Sequence, residues 1–141
     1  MDQSYDLSRF TLAHRSDYPL ALKEIQGGRK YSCWMWYIFP QLQGLGYSET
    51  SRYYAISGLG EAAAFLRDPY LGGNLLEISA ALLSLETNDA YGVFGPPDDR
   101  KLQSSMTLFS LVSEEGSVFH QVLDKFFDGK KDQRTIDLLR D

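Results

Sequence analysis

A chain of 141 residues, with 43% hydrophobic and 23% charged residues, is most simply one folded domain that can bury a sizeable core. Its formal net charge of −5 argues against broad binding to nucleic-acid phosphates or anionic membranes, because both require a basic surface. Cys33 is the only cysteine, which excludes an intrachain disulfide, and the first residues lack the basic start and apolar stretch of a secretory signal. We therefore expect one cytoplasmic domain over residues 1–141, without a membrane or nucleic-acid partner.

Helical signals dominate the first part of the chain. A short helix is predicted around residues 7–14, and a second helix is predicted to begin at Asp17 and to stop at Gly27 and Gly28. Residues 32–39 form a short apolar run in which periodicity does not distinguish a helix from an extended segment.

The middle of the chain carries three further helix predictions. Ser48 is placed to cap a helix that includes Ile56 and weakens at Gly58. Residues 61–66 predict the next helix, and Asp68 with a following proline predicts the start of another. Apolar residues then recur at steps of four and three, which is the strongest helical pattern in the sequence: Leu71, Leu75, Ile78, Leu82 and Leu85.

The last third continues in the same way. Residues 88–94 predict one or two helical turns, which a Gly-Pro-Pro sequence ends. Asp98 and Ser117 are each placed to cap a longer helix, and a final short helix is predicted from 134 to 139. With no sustained apolar–polar alternation, the prediction is a single compact all-α domain of about seven or eight short helices.

The segment from Trp34 to Gln41 holds both tryptophans, Trp34 and Trp36, and leads into a glycine-rich turn. One interpretation is that these aromatic residues only fill the core. The other is a ligand pocket, since Gln41, Gly44, Gly46 and Ser48 place an amide, bare backbone and a helix start beside the rings. The glycine spacing is not that of a dinucleotide fingerprint, because no strand precedes it.

A second candidate feature follows the proline corner. Lys101, Ser104 and Ser105 share one face of the predicted helix, where an ammonium group and two hydroxyls could hold a phosphate or a sugar. Asp98 and Asp99 at its start are the candidate general acids or bases. The alternative is that Asp98 caps the helix and the other side chains only face solvent.

The remaining reactive side chains give weaker signals. His14 and His120 have no metal-ligand spacing with Cys33 or with carboxylates, so we expect no metal site and no cofactor. Cys33 is interpreted as a small, buried apolar residue in preference to a reactive thiolate.

Five motifs resemble those of an uncharacterised bacterial family that genome annotation often labels "calpastatin". They are the WMW-aromatic-IFPQ run at 34–41, GLGxS at 44–48, YAI at 54–56, FGxPD at 94–98 and KLxSSMTLF at 101–109. The resemblance covers almost the whole chain and implies an all-helical cytoplasmic fold of unknown activity. Where the family commonly has histidine before the first tryptophan, this chain has Cys33. The calcium-protease inhibitor role is rejected, because such inhibitors are disordered repeats and this composition forms a core.

A weaker resemblance links the second half of the chain to the helical NADAR domains. It rests on Asp98, Lys101, Met106, residues 125–126 and the spacing from Thr135 to Leu138. Those domains act on N-glycosidic bonds of ADP-ribose or riboflavin-pathway nucleotides, so the resemblance implies a nucleotide-like ligand. Their N-terminal glutamate motif is not recognisable here.

Two classes of function follow from the sequence. The first is an enzyme or binding protein for a nucleotide-like or ADP-ribose-like metabolite, which would stack on Trp34 or Trp36 and place its phosphate near Lys101. The second is a non-catalytic module that binds a peptide or a partner protein through the aromatic segment. The sequence does not determine the ligand, the reaction or the oligomeric state.

Overall fold

The structure, a computed structural model, describes residues 5–140. Nine helices form within this range: α1 (Ser8–Gln26), α2 (Met35–Ile38), α3 (Glu49–Tyr53), α4 (Leu59–Arg67), α5 (Pro69–Leu83), α6 (Ala90–Phe94), α7 (Asp98–Ser110), α8 (Val118–Phe127) and α9 (Gln133–Leu139). The predicted single all-α domain is confirmed. None of the helices between residues 5 and 140 combines the length and the apolar character that crossing a bilayer requires.

The helix α1 differs from the prediction of two helices. It runs without a break from Ser8 to Gln26, and Asp17, predicted as a cap, lies inside it. Pro19 is also inside the helix, on its exposed side, although proline removes one backbone donor. Burial explains the continuity, because Phe10 and Ile25 near the two ends both reach the core. The predicted stop at Gly27 and Gly28 is confirmed, and Gly28 has a positive φ of 86°.

The sequence predicted that Ile56 belongs to the helix that Ser48 caps, and this was wrong. α3 ends at Tyr53, and Ile56 forms an isolated parallel β-bridge with Leu42. The Ile56 N–H donates to the Gln41 carbonyl, and the Gln43 N–H donates to the Ile56 carbonyl, each at 2.8 Å. This bridge fixes the glycine-rich turn against the chain that follows α3.

Besides Asp17, four caps were predicted, and three of these four are confirmed. The side chains of Ser48, Asp68 and Ser117 each accept a backbone N–H from the first turn of their helix. Asp98 instead is the first residue of α7, Pro97 occupies the cap position, and no side chain caps that helix. The Asp98 carboxylate forms ion pairs with lysines, described below.

The core lies where α1, α4, α5, α7 and α8 meet. Four phenylalanine rings from different helices form a continuous row through it. Phe10 and Phe65 are 5.0 Å apart at their centroids, Phe65 and Phe109 are 5.5 Å apart, and Phe109 and Phe119 are 5.8 Å apart. Each ring is at most 1% exposed, and burying such a side chain contributes roughly 2–3 kcal/mol.

A partly buried ion pair fixes the chain between α3 and α4 to α1. Arg9 lies 3.3 Å from Glu61 and donates to the carbonyls of Tyr53, at 2.8 Å, and Ala55, at 3.0 Å. Glu61 also accepts the Ser57 N–H at 2.8 Å. Both charges are therefore satisfied by fixed partners, so this pair positions the loop beside the candidate site.

Candidate functional site

Trp36 is the more exposed of the two tryptophans. The single turn of α2 directs Met35 and Ile38 into the core and leaves Trp36 half-buried at the surface. The Lys101 ammonium group from α7 lies 5.4 Å from the centre of the Trp36 ring, a cation–π distance. The structure thus brings the aromatic segment and the start of α7 together.

Trp36 faces a groove built from two adjoining hollows, which share Gln41 and Gly46. The first hollow, of about 490 Å³, is lined by Trp36, Gln41, Leu42, Gln43, Gly44, Gly46, Ser51, Arg52, Tyr54 and Ala55. The second hollow, of about 730 Å³, is lined by Gln41, Leu45, Gly46, Pro97, Arg100, Lys101, Ser104, Asp132 and Arg134.

The groove is strongly cationic although the chain carries a net charge of −5. Four basic residues line it, Arg52, Arg100, Lys101 and Arg134, against the single carboxylate of Asp132. Among residues 5–140, the three arginine side chains have neither a hydrogen-bond nor an ion-pair partner. An anion entering the groove therefore meets guanidinium groups that have no internal partner to give up.

Asp98 lies behind the groove between two lysines. One of its oxygens is 2.8 Å from the Lys30 ammonium group, and the other is 3.6 Å from that of Lys101. Lys30 also lies 5.1 Å from the Trp34 ring centre. The candidate acid is thus held as the counterion of both lysines, and it orients Lys101 over Trp36.

The four other candidate residues of α7 lie in different environments: Asp99, Lys101, Ser104 and Ser105. Ser104 lines the second hollow, and its hydroxyl donates to the Arg100 carbonyl at 3.1 Å. Ser105 is fully buried, and its hydroxyl has no hydrogen-bond partner in the described chain. Asp99 lies roughly opposite Lys101 on the helix by the 3.6-residue period, and one of its oxygens is also buried without a partner. Of the four, only Lys101 and Ser104 line the groove.

Trp34 lies inside the protein and does not line either hollow. Its side chain is 1% exposed, and its indole N–H donates to Glu24 at 2.9 Å. Glu24 also accepts the backbone N–H groups of Tyr31 and Ser32 and the Ser32 hydroxyl, at 2.8, 3.0 and 2.6 Å. Desolvation alone would raise the pKa of Glu24, but these hydrogen bonds together outweigh it and lower the pKa to about 2.

The glycine-rich turn forms the wall that both hollows share. Gly46 lines both of them, and a Cβ there would lie 2.6 Å from the Cβ of Ser51, so the close approach requires glycine. Gly44, at a φ of 97°, lines the first hollow. Ser48 is exposed and outside the groove, and its hydroxyl is used to cap α3.

Several groove residues were missed by the sequence reasoning. Arg52 and Tyr54 follow the signature turn closely, and the bridge at Leu42 brings them back beside it. Arg134 arrives from α9, and nothing in its local sequence indicates a contact with residues about ninety positions earlier. Arg100 also lines the second hollow, although only its neighbour Lys101 was predicted there.

The histidines lie away from the groove. His14 is buried, and its ring nitrogens lie 2.8 Å from the Tyr37 carbonyl and 3.1 Å from the Asn74 amide nitrogen. Burial lowers the pKa of His14, while the bond to Tyr37 partly opposes that change. Within residues 5–140, no three histidine, cysteine or acidic side chains converge on a point that could hold a metal ion.

The fold and the groove together define an all-helical domain with a cationic and aromatic surface groove. Residues 4–139 match a family described as "Protein of unknown function (DUF1810)", and the chain belongs to this family. The crystal structure of the conserved hypothetical protein Rv1873 from Mycobacterium tuberculosis is similar, with a TM-score of 0.94 and 41% identity over 97% of this chain and 98% of that one. No curated protein matches the chain.

These matches confirm the expected membership of an uncharacterised, all-helical domain family. The names of the two matches do not include the calpastatin label or the NADAR domains.

Proposed function

We propose that this protein binds a phosphate-bearing, nucleotide-like metabolite in the groove. The observation that carries the proposal is the charge of the lining: four basic side chains and one carboxylate surround a partly buried indole in a chain of net charge −5. Aromatic faces stack on bases and sugars, and guanidinium groups form paired hydrogen bonds with phosphate.

Each part of such a ligand has a chemically suitable partner. The second hollow, with Arg100, Lys101 and Arg134, would hold the phosphate. The first hollow, with Trp36, would hold the base or sugar. Gln41 lies where the hollows join, and its side chain makes no hydrogen bond within residues 5–140, so its amide is available to a ligand hydroxyl or carbonyl.

The arrangement supports binding more directly than acid–base catalysis. Asp98 is engaged by two lysines, and Asp132 accepts from the backbone N–H and the hydroxyl of Thr135 at 3.0 and 2.6 Å. Asp99 lies on the far side of α7. Asp98 is therefore proposed as a positioning residue for Lys101, and Trp34, Ser48 and Ser105 are left out of the proposed binding site.

Isothermal titration with AMP, ADP and ADP-ribose tests the proposal. A ligand at 100 times its dissociation constant adds ~2.7 kcal/mol to the free energy of unfolding. For a domain of this size that raises Tm by roughly 8 °C. If none of the three compounds gives a binding isotherm or a Tm change, the groove is not a nucleotide site.

Variants assign the binding to the groove. Losing a charge-assisted hydrogen bond costs about 1.5–3 kcal/mol, so Arg134→Ala and Lys101→Met should each weaken binding roughly 10- to 150-fold. Arg15→Ala is the matched control, because Arg15 is exposed on α1 and lines neither hollow. Equal losses in Arg15→Ala and Arg134→Ala would mean that the ligand follows net charge and not the groove.

The interaction module remains a second proposal, supported by exposed tyrosines. Tyr31, Tyr47 and Tyr53 are 75%, 72% and 60% exposed, and tyrosine is enriched where partner proteins bind. Recovery of one stoichiometric partner that Tyr47→Ala no longer binds would support it. A protein that binds nucleotides through Arg134 and recovers no such partner would contradict it.

A further inference from the structure

A third hollow, of about 840 Å³, adjoins the groove, and its lining lacks the groove's basic residues. We call it the aromatic hollow, and the lining residues that matter here are Cys33, Trp36, Tyr37, Glu49, Tyr53 and Tyr54. It shares Trp36 and Tyr54 with the first hollow of the groove. None of its lining residues is a lysine or an arginine, whereas the groove has four.

The rings of the aromatic hollow are inclined to one another in a way that leaves a concave surface. Tyr53 and Tyr54 meet at 78° with their centroids 4.8 Å apart. Tyr37 and Tyr54 meet at 55° with their centroids 4.9 Å apart. Rings set at such angles form a corner, and a compact group in that corner contacts more than one ring. The negative face of each ring attracts a cation.

The electrostatics of the aromatic hollow favour a positive guest in two further ways. Glu49 is the only charged residue in the lining, and its carboxylate forms neither a hydrogen bond nor an ion pair within residues 5–140. The Tyr37 hydroxyl donates to Asp17, and hydrogen bonding to a carboxylate makes the phenol ring more electron-rich.

We propose that the aromatic hollow binds an alkylated ammonium group, such as the trimethylammonium end of a small molecule or of a modified lysine. Alkyl groups fit this chemistry because they contact the ring faces, and because an alkylated ammonium is less strongly hydrated than a bare one. The positive charge remains paired with Glu49. The aromatic hollow shares Trp36 and Tyr54 with the groove, but this proposal does not depend on phosphate binding, and either can fail without the other.

The single cysteine supplies the first test. The prediction that Cys33 is buried was wrong: Cys33 is exposed and lines the aromatic hollow, so the rate of its modification reports on what enters there. Trimethylammonium-ethyl methanethiosulfonate and the anionic sulfonatoethyl reagent both form a mixed disulfide with the thiolate and release methanesulfinate. We expect the ratio of the cationic to the anionic rate, divided by the same ratio for a free thiol such as glutathione, to exceed about 10. A quotient near one overturns the proposal.

Substitutions show whether the lining causes that preference. Glu49→Gln should lower the quotient about 3- to 10-fold, and Tyr53→Ala should lower it by a similar factor, with Tyr53→Phe close to the unaltered protein. Tyr47→Ala is the matched control, because Tyr47 is exposed nearby and does not line the aromatic hollow. A uniform quotient across all four variants would mean that the surface charge as a whole sets the rates.

Competition separates charge from shape and one source from the other. Choline should protect Cys33 from the neutral reagent methyl methanethiosulfonate, whereas 3,3-dimethylbutan-1-ol, its uncharged isostere, should not. Equal protection by both, or protection by neither choline nor a trimethyllysine peptide, contradicts the proposal. Stronger protection by the peptide than by choline identifies a protein-borne ligand, and the reverse order identifies a free metabolite.

Discussion

Trp34 and Trp36 stand next but one to each other and occupy different environments. Trp34 is 1% exposed, and its N–H is bound to Glu24. Trp36 is half-buried, lines the groove and lies beneath the Lys101 ammonium group. We refer to the first environment, with Trp34, Glu24 and Ser32, as the indole seam.

The difference shows what a tryptophan-rich signature contributes. In the indole seam, the ring fills the core and its polar atom is satisfied by a carboxylate that also binds the 31–32 backbone. In the groove, the ring leaves part of its surface to solvent next to unpaired guanidinium groups. One residue type therefore serves stability at one position and is available for recognition at the other.

The largest effect should come from removing the ring in the indole seam. Trp34→Ala leaves a cavity and removes one of the hydrogen bonds to Glu24, and we expect a loss of about 3–5 kcal/mol in the free energy of unfolding. Trp36→Ala, the matched control, should cost less stability than Trp34→Ala, because its ring is only partly buried, while it weakens nucleotide binding. Urea unfolding of both variants measures the contrast. Equal losses of stability would remove the distinction between the two environments.

The indole seam should also make stability depend on acid pH. Because hydrogen bonds lower the folded pKa of Glu24 to about 2, from 4.5, the unfolded chain binds the proton more tightly. The stabilisation is therefore complete above pH 4.5 and is lost as the pH falls towards 2. Urea midpoints from pH 5 to pH 2.5 should fall more steeply for the unaltered protein than for Glu24→Gln.

The effect of His14 begins at a higher pH than that of Glu24 and provides a check on that assignment. Burial lowers its folded pKa below 6.5, so its contribution is present above pH 6.5 and is lost as the pH falls through the folded value. Glu24→Gln should leave this upper part of the profile unchanged. A variant that flattens both parts would mean that Glu24 is not the group responsible for the lower one.

An added methyl group should affect the groove more moderately. Gly46→Ala places a Cβ 2.6 Å from that of Ser51, and we expect a loss of about 1–3 kcal/mol from the overpacking. Gly73→Ala is a control of opposite sign. It lies exposed within α5 with no atom near the added Cβ, and alanine there should stabilise the helix by roughly 0.5–1 kcal/mol. Chemical denaturation measures both changes. If Gly46→Ala left the free energy of unfolding unchanged, the glycine-rich turn would adapt freely to the added methyl group.

The smallest effect should be at Ser48. Its hydroxyl accepts the Ser51 N–H at 3.0 Å, and removing such a cap costs about 1 kcal/mol. Ser48→Ala should therefore lower stability slightly and leave nucleotide affinity unchanged, because Ser48 does not line the groove. If Ser48→Ala weakened nucleotide affinity by more than about 3-fold, in addition to the ~1 kcal/mol change in stability, Ser48 would be in contact with the ligand.

Local signals predicted most of the fold. Ser48, Asp68 and Ser117 cap helices as expected, because capping depends on a side chain and the next three residues. Asp17 also has a favourable capping sequence, but α1 continues through it because burial at Phe10 and Ile25 outweighs the local preference. Ile56 was misplaced for the same reason, since its β-bridge partner Leu42 is distant in sequence.

The site was only partly predictable. Trp36, Gln41, Gly46, Lys101 and Ser104 do line one groove, as their chemistry suggested. Sequence alone could not separate Trp36 from Trp34, because in a single helical turn a shift of two positions reverses the direction of a side chain. Arg134 could not be assigned either, since its proximity depends on where α9 packs against α7.

The carboxylate of Asp98 makes the groove selective among anions. Lys101 already has a counterion 3.6 Å away, so an incoming anion must compete with a resident one for the same ammonium group. A phosphate dianion concentrates more negative charge than a carboxylate and has more oxygens to share with the neighbouring arginines. We therefore expect acetate and other monocarboxylates to compete poorly with phosphate esters for Lys101.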